Sequence, residues 1–165
     1  MRRNSKSTVF EDTVASAKKN AFRCLSRRDH STHELAQKLH KKGFSRPIVL
    51  KVIDELTTLK LIDDTRFIET WSRFRMTHHH FGPLRLRQEL LQKGLPSDDV
   101  SAYIQRISNT YRPENEVEKT LLRRYPDLGS LKEKNTCRRA FDFLKRKGHA
   151  SEVIFKVFKK YGLLK

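Results

Sequence analysis

The sequence predicts an all-α protein: three tandem three-helix repeats forming an elongated, curved body. Three observations predict it. Apolar residues recur at spacings of three and four along the chain, the mark of amphipathic helices. No stretch sustains the period-two alternation of a half-buried strand. One pattern also occurs three times, around Gly43, Gly94 and Gly148, which stand 51 and 54 residues apart. Four residues before each glycine is Leu39, Leu90 or Leu144, and one before is Lys42, Lys93 or Lys147. Six after is Val49, Val100 or Ile154; nine after is Val52, Tyr103 or Val157; ten after is Ile53, Ile104 or Phe158. Repeated units of this size bury their apolar faces by stacking on one another.

The elements follow in order. Residues 1–9 are polar and basic and read as a flexible basic tail. Repeat 1 spans 10–60. Its first helix, about 10–28, carries Val14, Ala17, Ala21, Cys24 and Leu25. Ser31 and Glu34 have the spacing of a capping box ahead of Leu35 and Leu39. Pro47 opens a third helix through Val49, Val52, Ile53, Leu56 and Leu59. Repeat 2 spans 61–111. Asp63 or Asp64 caps a helix through Phe67, Ile68, Trp71 and Phe74 that ends by Gly82. Pro83 suits the first position of the next helix, 83–93, whose Leu86, Leu90 and Leu91 form an apolar stripe. Gly94 suits a helix end. A third helix starts at Pro96–Asp98 and carries Val100, Tyr103, Ile104 and Ile107. Repeat 3 spans 112–165. Acidic Glu114, Glu116 and Glu118 favour a helix start after Pro113. Residues 126–133 are the longest connector. Helices through Cys137, Ala140, Phe141 and Leu144, then Ile154, Val157, Phe158 and Tyr161, complete the chain.

At 165 residues the chain has enough length for a real core. Its net charge is +17 and its pI about 10.2, more than solubility needs. Such a field attracts nucleic acid, anionic lipid or an acidic protein surface. The first nine residues carry three basic groups; the three repeats carry net +5, +1 and +8. Cys24 and Cys137 are too few and too distant for a disulfide framework and read as free thiols of a reducing compartment. No apolar run approaches a membrane span, and no apolar core follows the basic N-terminus as in a secretory signal. These features predict a cytoplasmic protein. The lack of a long heptad seam predicts a monomer.

Catalytic chemistry finds little support. Asp29-His30-Ser31 has the residue types of a hydrolytic triad, but triad members are assembled by the fold, and no nucleophile-elbow motif is present. His78-His79-His80 point in different directions on a helix and have no second ligand pair. Asp63-Asp64 reads as a helix start. No glycine-rich phosphate loop occurs. The expectation is a non-enzyme with no cofactor and no metal.

The basic residues are more informative. Arg23, Arg27 and Arg28 gather near the end of the first helix. Arg73 and Arg75 precede Arg85, Arg87 and Lys93 in the central repeat. Arg138, Arg139, Lys145, Arg146 and Lys147 crowd the third. Arginine suits bidentate contacts with phosphate or carboxylate. Sequence-specific DNA reading by a helix-turn-helix is disfavoured, because the third helices of repeats 1 and 2 offer Asp54, Glu55, Asp98 and Asp99 where phosphates would lie.

Leu61-Ile62-Asp63-Asp64-Thr65-Arg66-Phe67, Trp71-Ser72-Arg73-Phe74-Arg75 and the run Gly82-Pro83-Leu84-Arg85-Leu86-Arg87-Gln88-Glu89-Leu90-Leu91-Gln92-Lys93-Gly94-Leu95 resemble the RecX family of bacterial regulatory proteins. Arg28-Asp29-His30-Ser31-Thr32-His33-Glu34-Leu35-Ala36-Gln37-Lys38-Leu39 looks like that family's first-repeat signature. The resemblance covers about 13–162, is most specific in 61–95 and weakest at 112–136; Ile68 departs from it where the pattern often has a small residue. The resemblance implies tandem three-helix repeats and a modulator, mostly an inhibitor, of the recombinase RecA. The implied partners are the RecA filament and its single-stranded DNA. The implied effects fall on ATPase, strand exchange and co-protease activity in DNA repair, recombination and the SOS response. On this reading Arg73, Arg75, Arg85, Arg87 and Lys93 make the central contacts and the basic end repeats flank them. The rivals are a stand-alone, non-specific binder of single- or double-stranded nucleic acid and a purely structural helical adaptor.

Overall fold

The computed structural model describes residues 10–108 and 111–164. The predicted tail, 1–9, and residues 109, 110 and 165 lie outside the described residues. Among the described residues the chain is all-helical, and it divides into two compact units between Asp64 and Thr65.

The first unit packs α1 (Val14–Leu25), α2 (Thr32–Lys41) and α3 (Arg46–Thr58). α1 is shorter than its apolar pattern suggested. The Thr13 hydroxyl accepts the Ser16 N–H at 3.2 Å and starts it, and the Ser26 hydroxyl donates to the Arg23 carbonyl at its end. Arg27 and Arg28 therefore sit in the following turn. Ser31 caps α2 as its spacing predicts, accepting the Glu34 N–H at 3.1 Å. The Asp64 carboxylate takes the Thr32 N–H at 2.8 Å and its hydroxyl at 2.6 Å. Ala17, Ala21, Leu35, Leu39, Val49, Val52 and Leu56 close the core.

The second unit begins within α4 (Asp64–His79) and continues through α5 (Pro83–Gln92), α6 (Ser97–Ser108), α7 (Pro113–Arg124), α8 (Lys134–Arg146) and α9 (Ser151–Lys160). It holds two apolar clusters. Phe67, Ile68, Leu86, Leu90 and Val100 form one; Val117, Leu121, Ala140, Leu144, Ile154 and Phe158 form the other. Within the predicted connector 126–133, a 3-10 helix (Leu128–Lys132) plugs the second cluster with fully buried Leu131. Each such leucine contributes about 2 kcal/mol by leaving water.

The threefold pattern has a physical basis in one helix-ending motif. Leu39, Leu90 and Leu144 are all 0% exposed. After them the chain turns at Gly43, Gly94 and Gly148, each with positive φ. The N–H of the next residue returns to the leucine carbonyl: Phe44 to Leu39 at 3.2 Å, Leu95 to Leu90 at 3.4 Å, His149 to Leu144 at 3.2 Å. This is the double-bonded Schellman ending, in which the returning residue packs on the helix. Phe44 and Leu95 are apolar and buried there, whereas the third copy buries His149.

Gly82 and Gly148 join the two clusters of the second unit. Pro83 has no N–H to satisfy at the start of α5, and no side chain caps that end. The end of α8 serves instead. The Gly82 N–H donates to the Lys147 carbonyl at 2.8 Å, and the Leu84 N–H to the Gly148 carbonyl at 3.2 Å. Lys147 reciprocates, its ammonium donating to the His79 carbonyl at 2.8 Å. Carbonyls at one helix end thus meet N–H groups at another, an attractive arrangement of helix dipoles. A Cβ on Gly82 would lie 2.4 Å from the Gly148 oxygen, and one on Gly148 2.3 Å from the Arg85 backbone nitrogen.

Gly82→Ala and Gly148→Ala should each destabilise the second unit by roughly 2–3 kcal/mol through overpacking, read from the urea midpoint; an unchanged midpoint refutes the interlock. A second expectation concerns acid. Burial pushes the His149 imidazole down to about 4, against an opposing pull from the His80 carbonyl. Between pH 6.5 and that value the unfolded chain binds a proton that the folded chain refuses. Stability is complete above the window and falls as pH drops through it, by roughly 3 kcal/mol at its foot. His149→Leu, the residue type of the second copy, should flatten the dependence of urea stability on pH.

Candidate filament and nucleic-acid interface

Basic residues on an amphipathic helix have three fates: solvent, an acidic partner or the face of an aromatic ring. All three occur here. In the first unit Arg23 is exposed on α1 beside exposed Phe22, and Arg27 is exposed in the turn. Arg28 is held. Its guanidinium makes two 3.1 Å bonds to the Glu34 carboxylate and one of 2.7 Å to the Asp29 carbonyl.

The five central residues divide. Arg73, Arg85 and Arg87 are exposed. Arg75 is half-buried, bonded to Glu89 at 2.5 Å, with its guanidinium carbon 4.5 Å from the Trp71 ring centroid. Lys93 is half-buried as well, its ammonium 4.1 Å from the same ring, which stacks on Phe67 at 5.5 Å. Trp71 therefore gathers two cations, one from its own helix four residues on and one from the end of α5.

In the third repeat Arg138, Arg139, Lys145 and Arg146 are exposed on α8. Lys147 caps that helix, half-buried, with its ammonium 5.4 Å from the Phe81 ring. Arg85 and Arg75 approach the same ring at 5.5 and 5.4 Å. Phe81 thus collects cations from α4, α5 and the end of α8, groups that are far apart in sequence. Burial lowers the Lys147 amine from its ordinary pKa, and the charges of Arg123 and Arg85 lower it further.

The histidine run belongs to this seam. Burial lowers His79, with help from Arg75 and Lys147, and lowers His80, with help from Arg123 and Lys147. Arg123 donates to His80 Nε2 at 2.7 Å, so His80 accepts as a neutral ring. Arg123 and Arg124, at the end of α7, were not distinguished by any spacing in the sequence; only the fold brings them to His78–His80. Among the described residues no group of three or more His, Cys, Asp and Glu is close enough to hold a metal, and no helix is long and apolar enough to cross a membrane. His30 is buried with Nδ1 2.9 Å from the Arg28 carbonyl, and the Ser31 hydroxyl caps α2. Cys24 and Cys137 are free thiols, half-buried.

Known proteins share the sequence and the fold of this chain. The model described as RecX, first three-helix domain, matches residues 17–56, and that described as RecX, second three-helix domain, matches 63–104. The Regulatory protein RecX of Legionella pneumophila is 34% identical over 141 residues, covering 85% of this chain and 91% of its own. That of Amycolatopsis mediterranei (strain U-32) is 29% identical, covering 90% and 85%. A crystal structure of RecX from Lactobacillus salivarius shares the fold with a TM-score of 0.72 at 21% identity, over 92% of this chain and 97% of that one. A second crystal structure of a regulatory protein RecX has a TM-score of 0.71 at 21% identity, over 88% and 71%. The chain belongs to the RecX family of regulatory proteins.

Proposed function

We propose that this protein binds the RecA–single-stranded DNA filament and modulates it, mostly by inhibition, lowering RecA ATPase, strand exchange and co-protease activity in DNA repair and the SOS response. Family membership supports the RecA partner. The observation that carries the binding mode is the set of exposed arginines on α5 and α8 that have no acidic partner among the described residues. Arg85 and Arg87 present guanidinium groups from a helix whose opposite face, Leu86 and Leu90, is fully buried. A rigid helix holding two forks of donors suits phosphate and carboxylate groups of a nucleoprotein surface. Arg73, Arg138, Arg139, Lys145 and Arg146 extend this charge, and Arg23 and Arg27 add the first unit's share. Arg28, Arg75, Lys93 and Lys147 serve first to hold their own surroundings. We also take 10–60, 61–111 and 112–165 as the three repeats and the acting form as a cytoplasmic monomer. A net charge of +17 speeds encounter with a polyanionic filament.

The second reading, competition for DNA alone, draws on the same unpaired charges. RecA ATPase on single-stranded DNA, with this protein titrated at substoichiometric amounts, separates the two. Inhibition is expected, together with direct binding to assembled filaments. No inhibition would sink the proposal. Inhibition abolished by excess DNA, without filament binding, favours competition.

Arg85→Glu with Arg87→Glu should weaken filament binding about tenfold or more, the loss of two charge-assisted contacts, with the melting temperature unchanged. Arg75→Ala should act oppositely, costing about 1–3 kcal/mol of stability by stranding the half-buried Glu89. If the Arg85/Arg87 pair instead lowers stability, those side chains support the fold and the assignment fails.

A further inference from the structure

The seam of the second unit forms a half-open cavity of about 250 Å³ between the end of α4, the end of α7 and the end of α8. His78, His79, His80, Arg123, Arg124 and Lys147 line it, and among the described residues no carboxylate does. We propose that this cavity is a phosphate-binding site that takes one backbone phosphate of single-stranded nucleic acid, with the adjoining base stacked on Phe74. The inference deepens the reading of the protein as a nucleoprotein-filament ligand and rests on it for the identity of the strand.

The charge balance of the cavity is one-sided. Several cations of the protein meet acids: Arg28 meets Glu34, Arg106 meets Glu69 at 2.6 Å, Lys160 meets Glu118 at 3.0 Å. In the cavity, among the described residues, Arg123, Arg124 and Lys147 pair with no carboxylate. The acids whose charge reaches it are already engaged. Glu116, felt by His80, holds Lys119 at 2.8 Å; Glu89, felt by His79, holds Arg75. Three cations thus converge beside three imidazoles with no carboxylate in contact, a repulsive arrangement that a bound dianion or phosphodiester relieves.

Geometry gives the site its donors. The Lys147 ammonium is fixed by its bond to the His79 carbonyl, and Arg123 by its bond to His80, so the ordering of these side chains precedes ligand arrival. The Phe143 ring forms part of the wall.

Selection of a single strand comes from the rim. Phe74 is 49% exposed on α4, a large apolar ring left in solvent. Its ring lies 4.9 Å from that of His78 and 5.3 Å from that of His79, both cavity residues. An aromatic face beside an electropositive hollow is how single strands are held without sequence preference, one base stacked and its phosphate neutralised. A paired duplex keeps its bases from such a ring.

The test uses the full-length protein, a short fluorescein-labelled oligothymidylate and fluorescence anisotropy across a salt series. Arg123→Ala with Arg124→Ala should weaken binding about tenfold and flatten the slope of log K against log salt by about 0.7 per lost phosphate contact. Phe74→Ala should weaken it at least about fivefold without changing that slope. Arg124→Ala alone, at an exposed residue, keeps the test valid if the double variant unfolds. Unchanged oligonucleotide affinity in Arg124→Ala and Phe74→Ala overturns the site. A histidine NMR titration with inorganic phosphate distinguishes the sources: perturbation of His78–His80 by phosphate, with no oligonucleotide binding, overturns the nucleic-acid assignment. RecA ATPase is assayed separately. A wild-type protein that binds the oligonucleotide through these residues but leaves the ATPase untouched refutes the proposed function and leaves this site standing.

Discussion

The main chain of Gly82 meets that of Lys147 and Gly148 directly, and the geometry of this contact reaches far beyond the turn. Helix α5 starts where α8 ends, and each satisfies backbone groups that the other leaves open. The two positions tolerate no Cβ, since each would lie under 2.5 Å from a neighbouring backbone atom. Because this contact is made by main chain, it fixes the separation of the two apolar clusters more tightly than side-chain packing does. It also carries Lys147, His79 and His80 to their places. The electropositive seam is therefore a by-product of how two repeats are joined.

That origin explains the unusual state of the groups there. A basic protein normally spreads its charge to limit self-repulsion. Here the interlock draws Arg75, Arg85 and Lys147 together around Phe81, Arg123 adds its charge to Lys147, and burial compounds the cost for that lysine. Aromatic faces offset part of it. Neutral histidines offset more, because His80 accepts from Arg123 instead of adding a charge. His149 shows the same economy in the core: it occupies a place that Phe44 and Leu95 fill with carbon, and it stays neutral there because burial disfavours its cation.

The division of basic residues into internal and presented groups follows from a second constraint, the distribution of aromatic rings. Trp71 and Phe81 take Arg75, Lys93 and Lys147 into the fabric of the unit, whereas Arg85 keeps a foot on Phe81 and remains exposed. Bulk charge is thus a poor guide to what is available for a partner. The middle repeat, nearly neutral by composition, presents Arg73, Arg85 and Arg87 on a rigid framework.

What the sequence alone determined is local and periodic. Helical spacing, proline starts and Ser31 with Glu34 located the helices. The recurrence around Gly43, Gly94 and Gly148 marked the repeat, because a left-handed turn after a buried leucine demands glycine each time. The motifs at 61–95 carried the family. Tertiary structure decided the rest. Gly82 looked like a helix breaker, but its φ of −79° is ordinary, and its requirement for glycine comes from a chain segment more than sixty residues away. Leu131 looked like connector and is core. Arg75, Lys93 and Lys147 looked like surface charge and are braced on rings, while Arg123 and Arg124 attracted no notice and line the seam. Periodicity reports which face of a helix is buried; it carries no information about which ring or carbonyl from a distant helix waits above a given side chain.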